Sequence, residues 1–350
     1  MPASFHRPLT AARDVRATPV PPGPPWTLPE VWAPIISNFP TVATGETPGS
    51  SSGRRGKAVL EIGCRRSGGT PFATVGPVTD SRSERFTRPE LDGVHLHATH
   101  WGSAGRSVVV LAHGGGANAG WWGRLAPRLA DAFHVVALDF RGHGESDFPE
   151  RIDEGDFERD LHALLAHLAA PDAALVGHSM GGEVVLRVAA GGRAHPRAVV
   201  LIDLARGRSE EDRRVLRRAL VVRHAYRTRE EAVDRFRFVP QAVHASDELR
   251  REIAGGSVHQ EGDGRWGFKA DPAWVGAIPS GPVREADVGC PVLFVRGAES
   301  GVCSEEGARE LVAALPHGRL LTIPRAGHHV HVDAPEVTAR EIRRFLHELL

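Results

Sequence analysis

From Ser107 onward, short continuous apolar runs alternate with stretches of helical spacing, and this alternation restricts the possible folds more than any other feature. Residues 107–113 (SVVVLAH), bounded by glycines, suit a parallel strand buried on both faces. Further strands are expected at 134–139, 173–176, 198–203, 291–295 and 319–323. Helices are expected at 153–168, 181–190, 305–315 and 335–350, with Ser304 as the N-cap of the third. Alternating strands and helices imply a mostly parallel central sheet with helices on both faces, an α/β fold. Two strands at 86–91 and 94–101, joined at an Asp92-Gly93 turn, are expected to precede it. No internal repeat is visible.

The alternation is interrupted at residues 205–287, which are rich in charge. Helical stretches at 210–224, 229–236 and 247–253, with a Gly- and Trp-rich loop at 262–266, predict a helical cap inserted between two core strands. Residues 84–204 and 288–350 then form the core. Residues 1–83 differ in composition. Half of the 26 prolines lie in residues 1–80, and only His6 of the 19 histidines precedes Leu91. Proline clusters and runs such as Gly49-Ser50-Ser51-Ser52-Gly53 do not build a core, so this segment is expected to be mostly disordered. Short apolar stretches at 31–39 and 58–62 run against that expectation. Only two of the 43 basic residues are lysines (Lys57 and Lys269), as a GC-rich genome would give. A misplaced start codon and a genuine flexible extension both fit such a segment.

Basic and acidic residues number 43 each, which argues against nucleic acid as a partner. No apolar run approaches the ~18 residues of a membrane span, and the N-terminus lacks a signal-peptide core. Three cysteines (Cys64, Cys290, Cys303) cannot all pair internally, which favours a reducing, cytoplasmic location.

Gly177-His178-Ser179-Met180-Gly181 matches G-x-S-x-G, and it follows an apolar strand and opens a helix, the context that gives the motif meaning. The flanking glycines permit a sharp turn that projects Ser179, and the helix N-terminus favours developing negative charge. His113-Gly114-Gly115-Gly116 follows the first buried strand. A backbone N–H near Gly115, with that of Met180, is the expected oxyanion hole. A serine nucleophile needs a base within hydrogen-bond reach, and His328, next to Gly327 after the last strand, is the expected one. His329 and His331 read as packing or solvent-facing residues. A metal site built from His328, His329 and His331 lacks the ligand spacing of zinc enzymes. His95, His97 and His100 read as ordinary strand residues. Cys303 precedes a helix N-terminus that could lower its pKa, but no adjacent base marks it as a nucleophile.

Together these residues resemble the α/β-hydrolase superfamily, in particular its capped serine esterase-like members, over residues 84–350. Asp139-Phe140-Arg141-Gly142-His143-Gly144-Glu145-Ser146 is similar to that family's D-x-R-G-x-G-x-S loop, and Gly327-His328 is followed by Asp333-Ala334-Pro335-Glu336. The resemblance implies a structural role for Asp139, and the order Ser, acid, His along the chain. It also implies an aspartate in a G-x-x-D or G-x-x-x-D pattern after the penultimate strand. This chain departs from it there: Gly297-Ala298-Glu299-Ser300-Gly301 puts Ser300 and Gly301 where that aspartate is expected. Two carboxylates can substitute. Asp203 ends the strand after the nucleophile helix, where certain haloalkane dehalogenases carry their acid. Glu299 lies in the usual loop, displaced by one or two positions, where a longer side chain is needed to reach the histidine.

The resemblance implies a hydrolase that cleaves a carboxylic ester or similar acyl bond of a small molecule through an acyl-enzyme, with no cofactor. A serine at 179 argues against haloalkane dehalogenase and epoxide hydrolase chemistry, for which the resemblance would place an aspartate there. The HGGG loop followed by Trp121-Trp122 is similar to that of meta-cleavage product hydrolases, so carbon–carbon bond hydrolysis is the enzymatic alternative, with cofactor-free perhydrolysis beside it. The missing aspartate keeps a non-catalytic ligand-binding protein open. Arg208, Arg213, Arg214, Arg217 and Arg218 read as a solvated helix face, and Arg235-Phe236-Arg237-Phe238 as a candidate pocket lining.

Overall fold

A computed structural model describes residues 81–207, 220, 224–278 and 281–349. The expected disorder over residues 1–80, the apolar stretches within them, Cys64, nearly all of the expected helix at 210–224 and its arginines lie outside the described residues.

Eight strands form the main sheet: β1 (Ser81–Phe86), β2 (Leu96–Trp101), β3 (Val108–Ala112), β4 (His134–Asp139), β5 (Ala174–His178), β6 (Val199–Ile202), β9 (Val292–Gly297) and β10 (Gly318–Ile323). Their order across the sheet is β1-β2-β4-β3-β5-β6-β9-β10. β2 runs antiparallel to β1 and β4, and the other pairings are parallel. The helices packed around it are α1 (Ala126–Ala130), α2 (Asp156–His167), α3 (Met180–Ala190), α6 (Glu305–Ala314), α7 (Val330–Asp333) and α8 (Pro335–His347).

The apolar runs are continuous because both faces of the sheet are covered. Val110 and Ala112 of β3, Val136 and Leu138 of β4, and Val292 and Phe294 of β9 enter one core layer. Their alternate neighbours Val109, Leu111, Val135, Ala137, Leu293 and Val295 enter the other. Successive strand residues point to opposite faces, so a strand buried on both shows no polar alternation. Ser304 caps α6 as expected, accepting from the Gly307 N–H at 3.0 Å.

Two expectations about the first hairpin are corrected. Residues 86–91 are not a strand: β1 ends at Phe86, and Pro89–Leu91 form a 3-10 turn. Proline has no N–H to give a ladder but is well suited to the first turn of a helix. The strand instead begins at Ser81, inside the segment expected to be disordered, with Ser81 opposite Trp101 and Phe86 opposite Leu96. β1 is an edge strand whose first three residues are exposed and polar, so its pairing leaves no apolar trace in the sequence.

Between β6 and β9 the described part of the insertion holds α4 (Arg229–Arg235), α5 (Asp247–Gly256), the antiparallel pair β7 (Val258–Gln260) and β8 (Trp266–Phe268), and a 3-10 segment at Pro272–Ala277. The insertion is therefore not wholly helical: the Gly- and Trp-rich loop turns a small hairpin. Phe236 and Phe238 are buried edge-to-face against Trp121, where they join insertion to core, and the neighbouring Arg235 and Arg237 are exposed.

Candidate active site

The site assembles at the carboxyl ends of β5, β6, β9 and β10, the edge where parallel α/β sheets gather their loops. Ser179 follows β5 directly, with φ 50° and ψ −117°. The elbow is possible because nothing larger than glycine fits beside it. A Cβ on Gly177 would lie 2.5 Å from the Gly181 carbonyl oxygen, and one on Gly181 would lie 2.4 Å from the carbonyl oxygens of Ala112 and His113. Asp203, directly after β6, also has a positive φ, of 48°. Two non-glycine residues in the left-handed region at one site mark backbone held by its surroundings.

Ser179 Oγ lies 3.1 Å from His328 Nε2, and His328 Nδ1 lies 2.8 Å from Asp203 Oδ1. Asp203 is fully buried, and its carboxylate also accepts from the Gly297 N–H at 2.9 Å and the Ser300 hydroxyl at 2.6 Å. Of the two candidate carboxylates, then, Asp203 contacts His328. Glu299 does not: it turns to the surface and meets His244 Nε2 at 3.0 Å. The reason is topological. β6 lies between β5 and β9, so a side chain at its end reaches both the strand that carries Ser179 and the loop after β9.

A cavity of about 590 Å³ opens over Ser179. Gly114, Gly115, Met180, His178, His328 and His329 line it from the core, and Val239, Pro240, Trp274 and Ile278 from the insertion. Gly115 and Met180 thus flank Ser179 at the cavity wall. Trp274 packs so closely on Gly115 that a Cβ there would fall 2.1 Å from its ring. Phe236 and Phe238, expected as candidate lining, do not border the cavity. Arg206 and Glu183 pair at its rim, with Nη2 to Oε2 at 3.0 Å. Burial works against the Arg206 charge, but the Glu183 carboxylate outweighs it and raises the guanidinium pKa.

Asp139 is structural, as the resemblance implied. It accepts from the N–H groups of Ala119 at 2.6 Å and Glu145 at 3.0 Å, and meets His97 Nδ1 at 2.8 Å. Burial opposes its ionisation, yet the His97 contact and these N–H groups hold its pKa below the usual carboxylate value. Cys303 reverses an expectation. Burial, with the Asp203 charge adding to it, pushes its thiol up to about 12 despite the helix that follows.

Sequence reasoning missed two participants. Ser300 was noted only as the residue in place of an aspartate. His178 occupies the variable position of the serine motif, and its ring is clustered, tilted rather than stacked, with those of His328, His329 and His331 at centroid distances of 4.7, 5.4 and 4.6 Å. Burial drives the pKa of His178 and His329 well below the ordinary imidazole value, and that of His331 to about 3. Among the described residues, the histidines whose nitrogens could share a metal ion are His178, His328 and His329. His331 is not among them: its ring tilts onto Trp122 at 4.4 Å.

The chain is 28% identical over 275 residues to 2-(acetamidomethylene)succinate hydrolase of Mesorhizobium japonicum, covering 76% of this chain and 98% of that protein. A crystal structure of E-2-(acetamidomethylene)succinate hydrolase superposes with a TM-score of 0.66 at 27% identity, over 76% of this chain and 99% of that one. Esterase YbfF of Escherichia coli is 28% identical over 264 residues, 69% of this chain and 94% of that protein. Esterase Rv0045c of Mycobacterium tuberculosis is 27% identical over 290 residues, 79% and 95% of the two chains. The sequence profile of the alpha/beta hydrolase family matches residues 109–341, and the chain therefore belongs to that family and is an esterase-like hydrolase.

Proposed function

We propose that the protein is a serine hydrolase cleaving a carboxylic ester or similar acyl bond of a small molecule through an acyl-enzyme. The observation that carries this reading is the unbroken hydrogen-bonded chain Ser179–His328–Asp203. Ser179 Oγ attacks the carbonyl carbon as its proton passes to His328 Nε2. Asp203 holds the Nδ1–H and stabilises the imidazolium that forms. The carbonyl oxygen becomes an oxyanion facing the N–H groups of Gly115 and Met180. Collapse expels the alcohol, which takes the proton from Nε2. Water then attacks the acyl-enzyme, giving its proton to Nε2, and the acid leaves as Ser179 recovers it.

Residues 205–287 act as a cap that shapes the substrate pocket, since Arg206, Val239, Pro240, Trp274 and Ile278 among its described residues share the cavity wall with Ser179. The free thiols of Cys290 and Cys303 fit a cytoplasmic setting. The missing aspartate near position 300 was the feature that favoured a non-catalytic binding protein, and the contact of Asp203 with His328 argues against that reading.

Labelling with a fluorescent fluorophosphonate tests the proposal. The wild type labels, Ser179→Ala does not, Asp203→Asn labels about 10⁴-fold more slowly, and Glu299→Gln keeps pace with the wild type. A folded wild type that fails to label, or equal labelling of Ser179→Ala, overturns it.

A further inference from the structure

His178, His328 and His329 line one cavity, and one ring nitrogen of each lies within 4.8 Å of one ring nitrogen of the others. Hydrogen bonds decide which nitrogens are free. His178 Nε2 faces the His328 carbonyl oxygen at 3.1 Å, and His329 Nε2 faces that of Pro240 at 2.8 Å. A carbonyl only accepts, so both Nε2 atoms carry the proton and both Nδ1 atoms present a lone pair. Those two Nδ1 atoms are buried with no hydrogen-bond partner. His328 is turned the other way: Nδ1 serves Asp203, and Nε2 keeps its lone pair toward Ser179.

Buried lone pairs without a partner are costly, and native proteins rarely leave two side by side. Here each ring also has an oxygen acceptor behind its far nitrogen. That backing by a carboxylate or backbone carbonyl is what orients histidine ligands of metals and raises their basicity. Imidazole donors suit borderline cations such as Zn²⁺ over Mg²⁺ or Ca²⁺.

We propose that His178 Nδ1, His329 Nδ1 and His328 Nε2 form a Zn²⁺ site whose occupancy shuts off Ser179. The lone pair of His328 that would bind the metal is the one that faces the Ser179 hydroxyl at 3.1 Å, so base and ligand are exclusive roles. Zn–N bonds of about 2.1 Å set tetrahedral ligand nitrogens about 3.4 Å apart, so from separations within 4.8 Å the rings close by at most about 1.4 Å. Three protein ligands leave a fourth tetrahedral position for water. Metal binding here is independent of the serine hydrolase reading, whereas the shut-off rests on it.

Two readouts separate them in the full-length, metal-free protein. Titration with Co²⁺, a spectroscopic substitute for Zn²⁺, should give the intense visible bands of a tetrahedral ion, displaced by Zn²⁺. Zn²⁺ should also block fluorophosphonate labelling. His329→Phe keeps an aromatic ring against Trp121 and Phe238 while removing the ligand, and its own metal-free labelling rate is the reference for its Zn²⁺ titration. It and His178→Asn should each weaken both metal effects more than about tenfold. Absent Co²⁺ bands, or Zn²⁺ affinity equal in the wild type and both variants, overturns the site. Zn²⁺ bound with labelling undiminished overturns the shut-off. A wild type that gives the bands yet never labels, even without metal, counts against the serine hydrolase reading and leaves the site standing.

Discussion

The Ser300 hydroxyl donates at 2.6 Å to Asp203 Oδ1, the same oxygen that faces His328 Nδ1 at 2.8 Å. An alcohol therefore occupies the place from which the family's usual aspartate would approach the histidine, and the carboxylate arrives from the neighbouring strand. Ser300 Oγ also accepts from the N–H groups of Val302 and Cys303, both at 3.1 Å, which ties the loop after β9 to the acid.

Because the two side chains meet at one point, the acid of the proposed mechanism should be movable. Asp203→Ala should lose most turnover of an activated ester. Adding Ser300→Asp in that background should restore it at least about tenfold, since a carboxylate at 300 approaches the same imidazole nitrogen. Ser300→Ala alone should lower kcat/KM about tenfold, the effect of losing one hydrogen bond to a charged group. A double variant no faster than Asp203→Ala would show that position 300 cannot serve His328.

Asp333 ties the His328 loop to the insertion. Its carboxylate accepts from the N–H groups of Gly327 at 2.8 Å, His244 at 2.8 Å, Ala245 at 3.1 Å and Val243 at 3.3 Å. Asp333→Ala should cost about 2 kcal/mol in urea unfolding and lower kcat for every ester tried. Loss of stability with kcat unchanged would separate this anchor from the placement of His328.

The buried histidines make stability depend on acid. Burial, aided by the neighbouring His328, lowers the pKa of His331 to about 3, and burial with His113 nearby does the same to His143. Unfolded, each takes up a proton near pH ~6.5, while the folded chain resists it down to about pH 3. The unfolded state thus binds more protons across that window, and stability falls as pH drops below ~6.5. Each residue contributes a slope of about 1.4 kcal/mol per pH unit. Urea midpoints measured from pH 7 to pH 4 should show this, and His143→Gln should flatten the slope by one such increment.

Cys303 should be inert in the native protein. Its thiol is pushed up to about 12, first by burial and then by the Asp203 charge, so almost no thiolate exists at neutral pH. Maleimide should modify it only on unfolding, and Cys303→Ser should keep wild-type labelling by the fluorophosphonate. Rapid native modification assigned to Cys303 by peptide mass would contradict this.

The core strands, the serine elbow and His328 were readable from the chain alone because each rests on local chemistry. Apolar runs report burial on both sheet faces, glycines report a turn too tight for a Cβ, and Gly327-His328 stands directly after its strand. The edge strand from Ser81 was invisible, since its pairing is backbone to backbone and the side chains of its first three residues face water. Which of Asp203 and Glu299 meets His328 also lay beyond the sequence. It depends on β6 lying between β5 and β9, a neighbour relation between segments far apart in the chain. The same holds for the histidine cluster, where His178 and His329 meet only because the ends of β5 and the loop after β10 are folded together. Sequence spacing determines what a residue can do locally, whereas the partner it meets across the sheet is decided by strand order.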